Sequence, residues 1–177
     1  MKMTVLLLTA ALAATQALAA PANSKLQCMP SVADNSKGKL AFGHMKDSKM
    51  VLEHYLTAEG GTLKPTSDTS SAQQGQMYVC QNMPPAYSIS DPATNGMIKL
   101  GDGSSCLTVR SDNSTGSSGC ASSIGESLEQ QWFQLNGPRL AHIGNTGDVL
   151  KEAAAMHFGK ITLNHCETHA CKFLYLE

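Results

Sequence analysis

Residues 96–109 read Gly96-Met97-Ile98-Lys99-Leu100-Gly101-Asp102-Gly103-Ser104-Ser105-Cys106-Leu107-Thr108-Val109. Two apolar runs flank a Gly-Asp-Gly-Ser centre, whose residues tolerate the left-handed backbone angles of a tight turn. The stretch predicts a β-hairpin. Residues 41–54 and 139–152 can be laid over it without gaps. Apolar residues share the second place (Phe42, Met97, Leu140) and recur three places on (Met45, Leu100, Ile143). A turn former follows at Asp47, Asp102 and Asn145, then a small apolar residue and leucine at Val51-Leu52, Cys106-Leu107 and Val149-Leu150.

A second landmark lies downstream of each hairpin. Gln76-Met77-Tyr78 starts 29 residues after Asp47, Gln130-Gln131-Trp132 starts 28 after Asp102, and Cys171-Lys172-Phe173 starts 26 after Asn145. An aromatic residue two places after the leading residue shares a strand face with it. Self-similarity at this period marks a repeated unit. The predicted repeats cover residues 25–82, 83–136 and 137–177.

The first twenty residues set a Lys before an apolar run at residues 5–14, followed by Ala17-Leu18-Ala19. That order reads as a signal peptide, residues 1–19, cut after Ala19. The run is shorter than the roughly 20 residues a membrane span needs. Residues 20–177 are expected to form one soluble, extracellular domain. Formal net charge is −1 and charged residues make up 15 %, which gives nucleic acid and anionic membrane no electrostatic footing. All six cysteines follow the leader, and an even number in an exported chain points to disulfides of open connectivity. Asn113-Ser114-Thr115 is an acceptor sequon, so Asn113 is a candidate glycosylation site.

Three units, each opening on a hairpin and closing near Q-x-W, resemble the ricin-B-type lectin family. The middle unit carries the resemblance through Gly96-Met97-Ile98, Gly103-Ser104-Ser105-Cys106-Leu107, Cys120 and Gln130-Gln131-Trp132. The first unit keeps Q-x-Y, and the third has Cys-x-Phe. The resemblance implies an all-β, disulfide-stabilised β-trefoil, three similar units around a pseudo-threefold axis. It implies that Tyr78, Trp132 and Phe173 meet in one interior, and that the Gln130 and Gln76 amides tie loop backbone. It pairs Cys106 with Cys120 inside one unit. Cys166–Cys171 would then bridge a short loop in the third, and Cys28–Cys80 would pin the chain start to the end of the first.

It also implies a carbohydrate-binding protein. In that family an Asp after the Cys-Leu pair accepts bonds from sugar hydroxyls, a ring stacks on the sugar, and Asn before the Q-x-W completes the contact. Here the acid position holds Glu53, Thr108 and Lys151, and the Asn position holds Gly75, Glu129 and Ala170. No unit keeps the full set. The candidate sugar contacts are Glu53, His54, Tyr55 and Gln76 in the first unit, with Thr108, Glu129 and Gln130 in the second. A non-galactose glycan, or weak recognition, is the expectation.

Other chemistry finds less footing. His165, Cys166, His169 and Cys171 supply zinc-type donors, but close cysteines in an exported chain oxidise, so no metal and no cofactor are expected. No nucleophile elbow, P-loop or dinucleotide fingerprint occurs, and the chain is not expected to be an enzyme. The rival reading is a secreted protein-binding trefoil, such as a protease inhibitor, presenting residues 64–74 or 83–91 to an extracellular partner. A monomer is expected in either case.

Overall fold

The structure, a computed structural model, describes residues 25–177 apart from 48, 85–86, 88–93, 145–152, 158 and 165–170, and for 153 and 157 the backbone only. The proposed leader, the turn at Asn145 and the stretch 165–170 lie outside the described residues. Among the described residues no helix is long and apolar enough to cross a membrane.

The chain is all-β. A short edge strand, β1 (Cys28–Pro30), precedes β2 (Lys37–Lys46), β3 (Lys49–Glu59), β4 (Thr62–Thr66) and β5 (Gln74–Cys80). Then come β6 (Thr94–Leu100), β7 (Ser105–Val109), β8 (Thr115–Gly119), the one-turn helix α1 (Glu126–Glu129) and β9 (Phe133–Asn136). The chain ends with β10 (Arg139–His142), β11 (Ala153–His157), β12 (Lys160–Asn164) and β13 (Lys172–Leu176).

Local chemistry sets the hairpins. Between β6 and β7, Gly101 and Gly103 adopt positive φ. The Asp102 carboxylate accepts the Ser104 N–H at 2.9 Å, an Asx turn that stabilises the reversal. Between β2 and β3, Asp47 takes φ 49° and the strands pair through Met45–Met50 and Lys46–Lys49. Farther along, Phe42 pairs with His54 but Gly43 with Leu52. Glu53 is the extra residue of that bulge, and a bulge re-aims the side chain it carries.

Six strands pair in a cycle. Lys37–Gln76 joins β2 to β5, Gly75–Leu100 joins β5 to β6, and Thr94–Leu135 joins β6 to β9. Leu135–Leu140 joins β9 to β10, Leu140–Leu174 joins β10 to β13, and Leu176–Leu40 returns to β2. Hairpins β3–β4, β7–β8 and β11–β12 lie outside this cycle and touch one another. Thr62 pairs with Gly116, and Ser114 bridges Thr162. The Arg110 guanidinium donates to the Gly61 carbonyl beside Gly116, where any side chain would strike it.

Period-two alternation sends one side of each cyclic strand inward. Leu40, Met77, Ile98, Leu135, Leu140 and Leu174 meet there, closed over by Leu56, Leu107 and Leu163 of the hairpins. Gly75 takes an inward place because Leu176, Ile98 and Leu40 already fill it. Met97, one residue before Ile98, faces the other way. It joins a second cluster with Trp132, Tyr87, Leu128, Ile143 and Cys106.

This arrangement corrects the expectation of a shared aromatic interior. Trp132 is 2 % exposed but belongs to the second cluster, with its indole N–H donating to the Tyr87 carbonyl at 2.8 Å. Tyr78 is half-buried and lies under the Lys99 ammonium, while Phe173 lies under the Arg139 guanidinium. The inward places belong to their neighbours Met77, Phe133 and Leu174. A cationic stem covers one face of an outward ring, so ring size did not decide parity.

Disulfides join Cys28 to Cys80 and Cys106 to Cys120. Cys171 is disulfide-bonded as well, while Cys166 lies outside the described residues.

Candidate functional site

The first-unit candidates separate into two places. Glu53, re-aimed by its bulge, spends both oxygens inside the protein. His44 Nδ1 lies 2.9 Å from Oε1, and Lys172 Nζ lies 2.6 Å from Oε2. Burial pulls this carboxyl up, but the bonds and charges of Lys172 and His44 outweigh it and hold it below the ordinary carboxylate range. Tyr55 sits under the Lys39 ammonium at 5.4 Å, and its hydroxyl bonds Glu177, which pushes its pKa up. His54 is partly buried on β3. These contacts bind β3 to β2 and β13.

Gln76 lies elsewhere. It lines a groove that neither Glu53 nor Tyr55 lines. Gln76 pairs with Lys37 on one side and with Lys99 on the other, a Lys-Gln-Lys row across β2, β5 and β6. Alternation puts Gln74 and Tyr78 on the same outward face as Gln76. With Asp102 and the hairpin glycines, these residues line a groove of about 130 Å³. Lys99 Nζ stands 4.2 Å from the centre of the Tyr78 ring, which holds the ammonium at the groove wall. Among the described residues neither Lys37 nor Lys99 forms an ion pair.

The second-unit candidates are structural where they are buried. Thr108 is 5 % exposed, donates to the Cys106 carbonyl at 3.0 Å and lies 2.8 Å from Ser118 Oγ. The amide that ties loop backbone is that of Gln131, not Gln130. Its carbonyl accepts the Ala121 N–H at 2.8 Å, and its NH₂ reaches Thr108, Ser118 and the Gly119 carbonyl. Gln130 and Gln131 lie in the turn that follows α1 rather than in a strand, as Gln130 N–H donates to Glu126 and Gln131 N–H to Leu128. Glu129 offers its backbone carbonyl to His142 Nε2 at 2.8 Å.

Asn113 takes φ 62° in the turn before β8, and its carbonyl accepts the Leu163 N–H. Its sequon partner Thr115 is fully buried and donates to the Ile161 carbonyl at 3.0 Å. Among the described residues no three His, Cys, Asp or Glu side chains are grouped to hold a metal ion. His165, Cys166 and His169 lie outside those residues.

In the sequence Gln76 stands out as a candidate, whereas Lys37, Gln74, Lys99 and Asp102, its neighbours along the groove, do not. Gln74-Gly75-Gln76-Met77-Tyr78 alternates polar and small or apolar residues, which already assigns Gln74, Gln76 and Tyr78 to one face. No protein-family model matches the sequence, and no curated protein or solved structure matches it either.

Proposed function

We propose that this protein is a secreted, monomeric β-trefoil that binds carbohydrate through the groove at Gln76 and does no catalysis. The strand pairings support the trefoil reading. β2–β5, β6–β9 and β10–β13 are three groups of four strands. In each group the first and last strands belong to the cycle and the middle two form a hairpin at one end. The lectin kinship rests on that topology and on the middle unit, since the aromatic residues do not pool. Oxidised cysteines and the leader-like start of the chain support export.

One observation carries the binding reading: amide, aromatic and charged groups from three strands face a single open groove. Hydrogen-bonding groups beside a ring match the mixed polar and apolar faces of a sugar. The groove is smaller than the roughly 300–1,000 Å³ of enclosed ligand pockets, which suits one sugar residue of an exposed chain. A glycan array is expected to show a defined set of binders with the native protein and a weaker set with Gln76→Ala. A blank array at high protein concentration contradicts the reading.

The rival protein-binding reading has its own support in the loop after β4. Asp68 accepts from the Ser70 N–H at 2.8 Å and from its hydroxyl at 2.7 Å, and Thr66 Oγ1 lies 3.1 Å from Ser71 Oγ. An exposed loop held in one shape binds a partner with less entropy loss. Stoichiometric inhibition of any member of a protease panel favours this reading.

A further inference from the structure

We infer that the groove at Gln76 selects an acidic glycan, one bearing sulfate or carboxylate groups. The inference rests on the carbohydrate reading above and names the ligand class for the same site.

The charge pattern carries it. Across three adjacent strands the row runs Lys37, Gln76, Lys99. Neighbouring strands lie about 4.8 Å apart, so the two lysines start about 10 Å apart with an amide between them. That spacing lets both ammonium groups close on one anionic group from opposite sides while the amide N–H₂ donates from below. Lys39, two residues along β2, faces the same way and stands over Tyr55. The whole chain has net charge −1, whereas two lysines, Lys37 and Lys99, line this groove.

One opposing charge faces the groove, and another stands near Lys39, where Glu177 bonds the Tyr55 hydroxyl. Asp102 lines the groove, but its Oδ1 is turned to the Ser104 N–H at 2.9 Å in the hairpin turn. By contrast, Lys64 and Lys172 have carboxylate partners, Glu59 and Glu53. The side-chain amides of Gln74 and Gln76 have no hydrogen-bond partner among the described residues. Two unpaired ammoniums and two uncommitted amides offer donors in excess of acceptors. A neutral sugar needs both kinds, whereas a sulfate or carboxylate takes donors only. Charge-assisted bonds of this type are roughly twice as strong as neutral ones.

The test compares an oligosaccharide that carries sulfate with its desulfated counterpart on the same backbone, by titration calorimetry. Native protein is expected to prefer the sulfated form, with affinity falling as salt rises from about 50 mM to about 500 mM, where screening shortens to a few ångströms. Lys37→Gln and Lys99→Gln are each expected to weaken it about tenfold, and Lys160→Gln, a remote exposed lysine, is expected to change nothing. Equal binding of both forms, unaffected by the two groove variants, overturns the acidic preference and leaves the carbohydrate reading standing. Absence of binding to either form overturns both. Displacement of the oligosaccharide by equimolar sodium sulfate overturns the glycan assignment in favour of a simple anion site.

Discussion

Gln131 Nε2 lies 3.2 Å from Thr108 Oγ1, joining residues 23 apart in sequence inside a buried polar network. Gln131 itself is 1 % exposed, and its amide serves Ala121, Ser118 and Gly119 besides Thr108. Removing it strands several groups that water cannot reach, each at a cost of about 1–3 kcal/mol. Gln131→Leu is expected to lower stability by roughly 3 kcal/mol in urea unfolding, and Thr108→Val by roughly 1 kcal/mol. Neither residue lines the groove, so neither change is expected to alter the glycan binding proposed for it.

The two described disulfides differ in span. Cys28–Cys80 closes 52 residues and holds the edge strand β1 against β5. Cys106–Cys120 closes 14, with Cys106 fully buried. Loop-closure entropy assigns about 4 kcal/mol to the first and about 3 kcal/mol to the second. Replacing each pair by alanines is expected to cost that much, and limited proteolysis of the Cys28→Ala/Cys80→Ala protein is expected to cut first near β1.

Glycines separate tolerant from intolerant positions. A Cβ on Gly96 would strike the Tyr78 carbonyl, whereas one on Gly119 meets nothing within 4 Å. Gly96→Ala is expected to destabilise by roughly 1–3 kcal/mol through strand displacement. Gly119→Ala is expected to be neutral or to stabilise by up to about 1 kcal/mol. Thermal melts of the two variants check the contrast.

How much of this was legible beforehand depends on what each feature needs. The hairpin at residues 96–109 was legible because Gly101, Asp102 and Gly103 encode their own backbone angles. The all-β class followed from the same kind of signal. The alternation of residues 74–78 sets Tyr78 on the outward face with Gln76, but a ring of that size reads as core until Lys99 is seen packed over it. The Q-x-W reading slipped because α1 turns Gln131 rather than Gln130 into the loop. The groove was hidden for another reason. Lys37, Gln76 and Lys99 become neighbours only through strand register, which long-range pairing sets and local composition does not record.

Titration behaviour follows from two groups. The Glu53 carboxyl is held below its ordinary range in the fold, so its contribution is present above the unfolded value near pH 4.3 and is lost as pH falls through the lower folded value. Glu53→Gln is expected to flatten the melting-temperature decline below about pH 4. Tyr175 moves the other way. Burial, then the charges of Glu177, Tyr55 and Glu53, push its hydroxyl up to about 12. Its contribution is full below the unfolded value near 10 and is lost as pH rises toward 12. Phenolate absorbance at alkaline pH should show a late-titrating tyrosine that Tyr175→Phe removes.

The most direct measurement is a backbone amide NMR titration with an acidic oligosaccharide. The account predicts dose-dependent shifts at Lys37, Gln74, Gln76 and Lys99, with His44, Glu53 and Lys172 unmoved. Shifts centred on Glu53 and Lys172, or none anywhere at saturating ligand, would contradict it.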